Sequence, residues 1–203
     1  MRKLTLGIVV LVFLALMGCS KKENSSDNAN LNDNPIESIS SKEDQISDDD
    51  HDSIVNFGKA FVNLYTGAVA EQETVSFENY ISNENLLKFT NKMLELEQKQ
   101  ELVGGIGVNF GLENEFKEAE YKKLDEDLYY LSLTFSNQGS GMSCKLLVQS
   151  DNKSINIVDL YFGNKDGVDT IATGHPAVRK LDNPKLWDDQ TWVDGVFEKL
   201  EKI

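Results

Sequence analysis

The sequence predicts an α+β domain in which N-terminal helices pack on a three- to four-stranded antiparallel sheet, followed by a C-terminal helix. Three observations support this. Apolar residues recur every three or four positions from Ile54 to about residue 101, alternate at every second position between 114 and 162, and return to helical spacing after Pro184. Helices followed by consecutive strands with short turns are typical of a helix layer on an antiparallel meander.

The first helix of the domain is predicted to begin at Ile54, with Ser53 as its N-cap. Its apolar stripe repeats at three and four residues, as an amphipathic helix requires. A second long helix is predicted over 83–101, because Ser82 and Asn83 are good capping residues and precede another apolar stripe.

Four strands are predicted over 114–123, 128–136, 142–150 and 154–162. The glycine-rich segment 137–141 has the composition of a hairpin loop between the second and third strands. The residues after 162 are largely polar, and irregular structure is predicted for them up to Pro184. A closing helix is then predicted over 189–202, capped by Asp188 or Asp189, with an inward stripe of Trp192, Val193, Val196, Phe197 and Leu200.

The chain begins with a targeting segment. Arg2 and Lys3 precede the apolar run LTLGIVVLVFLALM at 4–17. A membrane-spanning helix needs about 20 apolar residues. This shorter run has the length of the hydrophobic region of a signal peptide.

The run ends in Leu16-Met17-Gly18-Cys19, which resembles the lipobox of bacterial lipoproteins: a leucine, a small residue, glycine or alanine, then cysteine. The resemblance implies that residues 1–18 are a lipoprotein signal peptide and that Cys19 becomes the mature N-terminus, with a diacylglyceryl group on its sulfur and palmitate-type acyl chains. We therefore expect a lipid-anchored protein on the extracytoplasmic face of the cell membrane. Few arginines and many asparagines favour a Gram-positive source.

Residues 19–53 are predicted to form a lipidated N-terminus and a disordered acidic tether. This segment contains no aromatic residue, and its acidic residues far outnumber its basic ones. Such a segment cannot bury enough apolar surface to offset the entropy lost on ordering. The globular domain is therefore assigned to 54–203.

The order of elements over 54–162 resembles the NTF2-like (cystatin-like) architecture, in which a curved sheet wraps a long helix and leaves a cone-shaped cavity. No signature motif accompanies this resemblance, so it implies no site residues. The alternative is a plain helix-on-sheet layer without a cavity.

Charge and composition restrict the function. The net charge is −14 and the pI about 4.5, which argues against nucleic acid as a partner, because phosphate backbones are bound by basic surfaces. Two cysteines exclude a disulfide framework, and two histidines leave little for a histidine-based metal site. We expect no cofactor and no metal. Cys144, the cysteine left after lipidation, is predicted to be a core thiol.

Two residues are candidates for catalysis. Asp159 lies in an apolar strand, and simple alternation with Ile155, Ile157 and Tyr161 would turn it toward the interior, where a carboxylate could act as a base. A buried carboxylate there would need a partner such as Tyr65, Tyr130 or a lysine. If the two faces of the strand are swapped, Asp159 is simply exposed. His175 lies between a glycine and a proline on a loop. It could act as a general base, or it could simply be a turn residue.

The sequence thus favours a membrane-anchored, surface-exposed lipoprotein whose small domain binds an envelope protein or a small apolar ligand. The alternatives are a cavity enzyme of the isomerase or dehydratase type, using Asp159 or His175, and a scaffold subunit of an envelope assembly.

Overall fold

The computed structural model describes residues 48–102, 111–151, 154–164 and 167–203. Cys19, the signal segment 1–18 and most of the predicted tether lie outside these residues. The described chain forms, in order, α1 Asp48–Glu71, α2 Glu84–Leu102, β1 Asn114–Lys123, β2 Leu128–Asn137, β3 Ser140–Ser150, β4 Ile155–Tyr161, α3 Val168–Thr173, a 3-10 turn Leu186–Asp188, and α4 Gln190–Leu200.

The start of α1 differs from the prediction. The helix begins at Asp48, so Ser53 lies inside it and is not its N-cap. The segment 48–53, assigned to the tether, is helical.

The start of α2 follows the prediction closely. Asn83 caps it, since the Asn83 Oδ1 atom accepts hydrogen bonds from the backbone N–H groups of Asn85 at 3.0 Å and Leu86 at 3.1 Å.

The four strands form one antiparallel sheet in the order β1-β2-β3-β4, which confirms the α+β class and the meander. The β2–β3 hairpin turns through Gln138 and Gly139, whose φ angles are 48° and 80°. Two successive positive φ angles are typical of the tight turn that matches strand twist. The loop is therefore shorter than the glycine-rich segment 137–141 suggested.

The main core lies between the helices and one face of the sheet, called here the inner face. Its largest fully buried side chains come from α1, α2, the segment between them, the sheet and the 3-10 turn: Ile54, Phe61, Tyr65, Phe77, Ile81, Leu86, Phe89, Met93, Leu131, Phe135 and Trp187. Burial of such side chains supplies the main favourable free energy of folding.

The opposite, outer face of the sheet is partly covered by the chain that follows β4. Leu181 from this segment packs with Leu147 and Tyr161, and the half-buried Tyr130 packs against them.

The sequence predicted irregular structure between residue 162 and Pro184, but α3 forms over Val168–Thr173. This helix has little propensity of its own and depends on tertiary contacts, so a sequence pattern does not reveal it.

The closing helix is confirmed. Asp189 caps α4 by accepting a hydrogen bond from the Trp192 backbone N–H at 3.2 Å. Val193, Val196 and Leu200 are buried, whereas Trp192 and Phe197 of the predicted stripe are half-buried against the core.

Gly58 permits the close approach of α1 to the sheet. A Cβ atom there would lie 2.5 Å from Cδ2 of Leu131 and 3.1 Å from Cδ1 of Leu146. Both leucines are fully buried, so neither has free space to move into.

We therefore expect Gly58→Ala to lower the free energy of unfolding by about 1–2 kcal/mol, because overpacking outweighs the roughly 1 kcal/mol gain in helix propensity. Gly67→Ala is the matched control in the same helix, where a Cβ meets nothing within 4 Å. It should raise stability by up to about 1 kcal/mol. Urea melts of both variants test this, and equal shifts would contradict the close-packing argument.

Candidate functional site

Asp159 faces the opposite side of the sheet from the one predicted. In the β3–β4 pairing, Leu147 lies opposite Asp159 and Val148 opposite Ile157, so Val158 is an extra residue in the ladder. Such a bulge reverses the alternation of the faces. Ile157 therefore packs in the main core, while Asp159 lies with Leu147 on the outer face.

Asp159 is fully buried, and three hydrogen-bond donors make four contacts with its carboxylate. Nη2 of Arg179 lies 2.6 Å from each carboxylate oxygen, and the Trp187 indole N–H donates to Oδ1 at 2.8 Å. The backbone N–H of Leu160 also donates to Oδ1, at 3.0 Å. The partners considered from sequence, Tyr65, Tyr130 or a lysine, are not the ones found.

Arg179 links this carboxylate to the C-terminal part of the fold. Its side chain is only 4% exposed, Nη1 donates to the Lys180 carbonyl at 2.6 Å, and the guanidinium lies 5.6 Å from the centre of the Trp192 ring. Its Nε–H has no hydrogen-bond partner among the described residues.

Sequence reasoning missed Arg179, although one signal was present. It is the sole arginine between residues 54 and 203. In a chain that otherwise uses lysine, a single arginine is a reasonable candidate for a buried, hydrogen-bonded ion pair.

The network has the chemistry of a structural clamp. Burial raises the pKa of Asp159 above its ordinary value, while Arg179, Trp187 and the Leu160 N–H act in the opposite direction. A carboxylate surrounded by these donors has no free oxygen lone pair facing solvent with which to accept a substrate proton.

His175 is exposed on the turn after α3. Its Nδ1 accepts a hydrogen bond from the Ala177 backbone N–H at 3.3 Å. No hydrogen bond or ion pair joins Asp159 to His175 within the part of the chain that the structure describes. The structure therefore does not assemble the two sequence candidates into one site.

A second group of polar side chains lies at the edge of the main core, where Tyr65 is buried and Glu97 is half-buried. The Tyr65 hydroxyl donates to Oε2 of Glu97 at 2.8 Å. Burial raises the pKa of Glu97 to about 8, and the negative charge of Asp169 acts in the same direction. Glu97 is thus a protonated carboxyl group at neutral pH, a state that sequence periodicity does not reveal.

Two neighbours complete this group. Asp169 is buried and accepts backbone N–H groups of Phe162 at 2.7 Å, Gly163 at 2.8 Å and Thr170 at 2.8 Å, so it holds the start of α3 on the end of β4. Cys144 is also buried, and burial raises the pKa of its thiol. This placement agrees with the predicted core thiol and disfavours a reactive thiolate.

Two of the clefts at the surface of the described residues bear on a binding role. One, of about 920 Å³, lies at the end of the sheet and is lined by Ser53, Ile54, Lys123, Asp125, Glu126, Asp127, Tyr129, Ser150, Asp151, Ser154 and Ile155. The other, called here the outer cleft, has a volume of about 350 Å³ and lies between the outer face and the segment 179–182. It is lined by Glu120, Lys122, Leu124, Tyr130, Lys145, Arg179, Lys180, Leu181 and Asp182.

Across the four described ranges, no group of three or more histidine, cysteine, aspartate or glutamate side chains is placed to hold a metal ion. None of the helices in those ranges is both long and apolar enough to cross a bilayer.

Comparison of the chain with protein-family models, with curated proteins and with solved structures found no match.

Proposed function

We propose that this chain is a membrane-anchored lipoprotein that carries its α+β domain as a binding module on the extracytoplasmic face of the cell membrane. The observation that carries the proposal is the sequence Leu16-Met17-Gly18-Cys19 at the end of a short apolar run. Two or three acyl chains on Cys19 anchor a folded domain stably, since each buried CH₂ contributes about 0.8 kcal/mol.

The binding role is supported by the two surface clefts. Polar side chains dominate the lining of the cleft at the end of the sheet, while the outer cleft combines charged side chains with Leu124, Tyr130 and Leu181. These linings suit a ligand with polar groups or a protein partner better than the small apolar ligand considered from the sequence. The acidic segment between Cys19 and α1 would hold the domain away from an anionic membrane surface.

The finer fold assignment, to the NTF2-like architecture, belongs to the same proposal. Its support is the packing of a long first helix on the inner face of a four-stranded meander, with Gly58 against Leu131. An experimental structure of the mature protein that lacks a sheet curved around α1 would remove this assignment.

Lipidation is tested by mass spectrometry of the protein purified from its own cells. We expect acyl chains on Cys19, loss of residues 1–18, and recovery of the protein with membranes. Cys19→Ala should yield an unlipidated precursor. Cys144→Ala is the matched control and should keep its acyl chains, because that thiol is buried in the fold. An unmodified Cys19 in the native protein would overturn the proposed anchoring.

A further inference from the structure

The outer cleft reverses the charge balance of the domain around it. Residues 54–203 contain more acidic than basic side chains. Four basic residues nevertheless line this cleft, Lys122, Lys145, Arg179 and Lys180, against the two acidic residues Glu120 and Asp182. The charge of Arg179 is balanced by Asp159, so the three lysines outnumber the two acidic residues of the lining, and this excess of positive charge favours an anion.

Its lysines are not used for internal ion pairs. Among the described residues, no carboxylate oxygen lies within 4 Å of the ammonium group of Lys122, Lys145 or Lys180. Lysines on α2 and just after the end of α4, by contrast, pair with glutamates three or four residues away. The cleft therefore keeps its positive charge available to a ligand.

Lys145 is central to this arrangement. In the sheet register it lies between Ser132 of β2 and Tyr161 of β4, near the middle of the outer face, and it is half-buried. The side chain of Lys145 lines the outer cleft, so its ammonium group is placed where an anion bound in the cleft can contact it.

The clamp described above builds one wall of the cleft. Asp159 holds Arg179, and Arg179 binds the carbonyl of Lys180, so the backbone that carries Lys180 is fixed against the sheet. Arg179 also lines the cleft, and its buried Nε–H has no partner among the described residues. A preformed wall of this kind reduces the ordering cost of binding.

We propose that the outer cleft binds a phosphate monoester that carries an aromatic or aliphatic group. Several lysines acting as point charges suit a phosphate dianion, whereas the only guanidinium here is already paired with Asp159. Tyr130, Leu181 and the exposed Leu124 provide an apolar surface beside the charges. The cleft, with a volume of about 350 Å³, can hold the phosphate end of such a ligand.

The inference deepens the proposed binding role and does not depend on the lipid anchor. It is tested by titrating the ¹⁵N-labelled full chain, in detergent micelles at low salt, with phenyl phosphate. We expect saturable shifts of the amide signals of Ser132, Lys145 and Leu181. Removing one charge-assisted contact by Lys145→Gln should weaken binding by about tenfold.

Lys117→Gln is the matched control, because it removes the same charge from an exposed position of β1 outside the cleft. It should leave the Kd for phenyl phosphate unchanged, and added salt should weaken binding to the parent chain. Equal Kd values for Lys145→Gln and Lys117→Gln, or no saturable shift at these amides, would overturn the inference.

Dihexanoyl phosphatidic acid, titrated in the same way, separates the two sources of the ligand. Tighter binding than phenyl phosphate indicates a lipid headgroup, and equal or weaker binding indicates a soluble ester. Failure of both titrations in a protein that carries acyl chains on Cys19 would remove this site and leave the proposed anchoring intact.

Discussion

Arg179→Met should lower the free energy of unfolding by about 3–5 kcal/mol, because it leaves the buried carboxylate of Asp159 without its counter-ion. Both side chains are almost fully buried, at 4% exposure for Arg179 and 1% for Asp159. Asp159→Asn should cost a similar amount, since it leaves a buried guanidinium uncompensated. Urea or guanidinium melts of the full chain measure both effects.

The double variant Asp159→Asn/Arg179→Met distinguishes pairing from packing. If the charges act on each other, the double variant loses clearly less stability than the sum of the two single variants. Lys202→Met is the control for an exposed pair, that of Lys202 with Glu198, and should change stability little. Additive losses in the double variant, or an unchanged midpoint for Arg179→Met, would contradict the clamp.

The sequence pattern predicted the central strands β2 and β3 well because their alternate residues are buried in the main core. Period two from Leu128 to Asn137 is visible in the burial of Leu131, Leu133 and Phe135. The same rule failed at Asp159, since one extra residue, Val158, turns the rest of β4 over. A bulge is a property of the pairing of two strands, so the pattern of one strand does not reveal it.

Among the helices, too, some were predictable from the sequence and one was not. The long amphipathic helices α1, α2 and α4 were predictable from their apolar stripes, whereas α3 is short and is held by the Asp169 carboxylate, which binds the backbone at the end of β4. The outer cleft was also not predictable. Lys122, Lys145 and Lys180 lie far apart in the chain, and only the sheet register and the Asp159–Arg179 pair bring them to one cleft.

Stability should also depend on pH through Glu97. Its pKa is raised from 4.5 to about 8 in the folded chain, so between these values the folded state holds a proton that the unfolded state has released. The contribution of the protonated Glu97 is therefore fully present below pH 4.5 and is lost as the pH rises through 8. At about 1.4 kcal/mol per pKa unit, the loss is at most on the order of 5 kcal/mol.

The titratable groups that surround Glu97 do not reverse the direction of this pH dependence of stability. Tyr65 on α1 and Cys144 on β3 both have pKa values raised well above their ordinary ones, so they stay protonated across this range. Asp169, at the start of α3, also has a raised pKa because of burial, and its titration changes stability in the same sense as that of Glu97.

Glu97→Gln isolates the contribution of this one carboxyl group. Glutamine keeps the shape and can still accept the Tyr65 hydroxyl, but it does not ionise, so the variant should lose much less stability than the parent chain between pH 5 and pH 8.5. Urea melts across that range measure the difference.

Glu95→Gln is the control on the same helix. Lys99 and Lys92 lower the pKa of the exposed Glu95 carboxyl group, so this group stays ionised throughout the range. Its removal should therefore leave the profile of stability against pH parallel to that of the parent chain. A Glu97→Gln profile that also runs parallel to the parent would mean that Glu97 is already ionised in the folded protein, and that the Tyr65–Glu97 contact is reached by water rather than enclosed by the core.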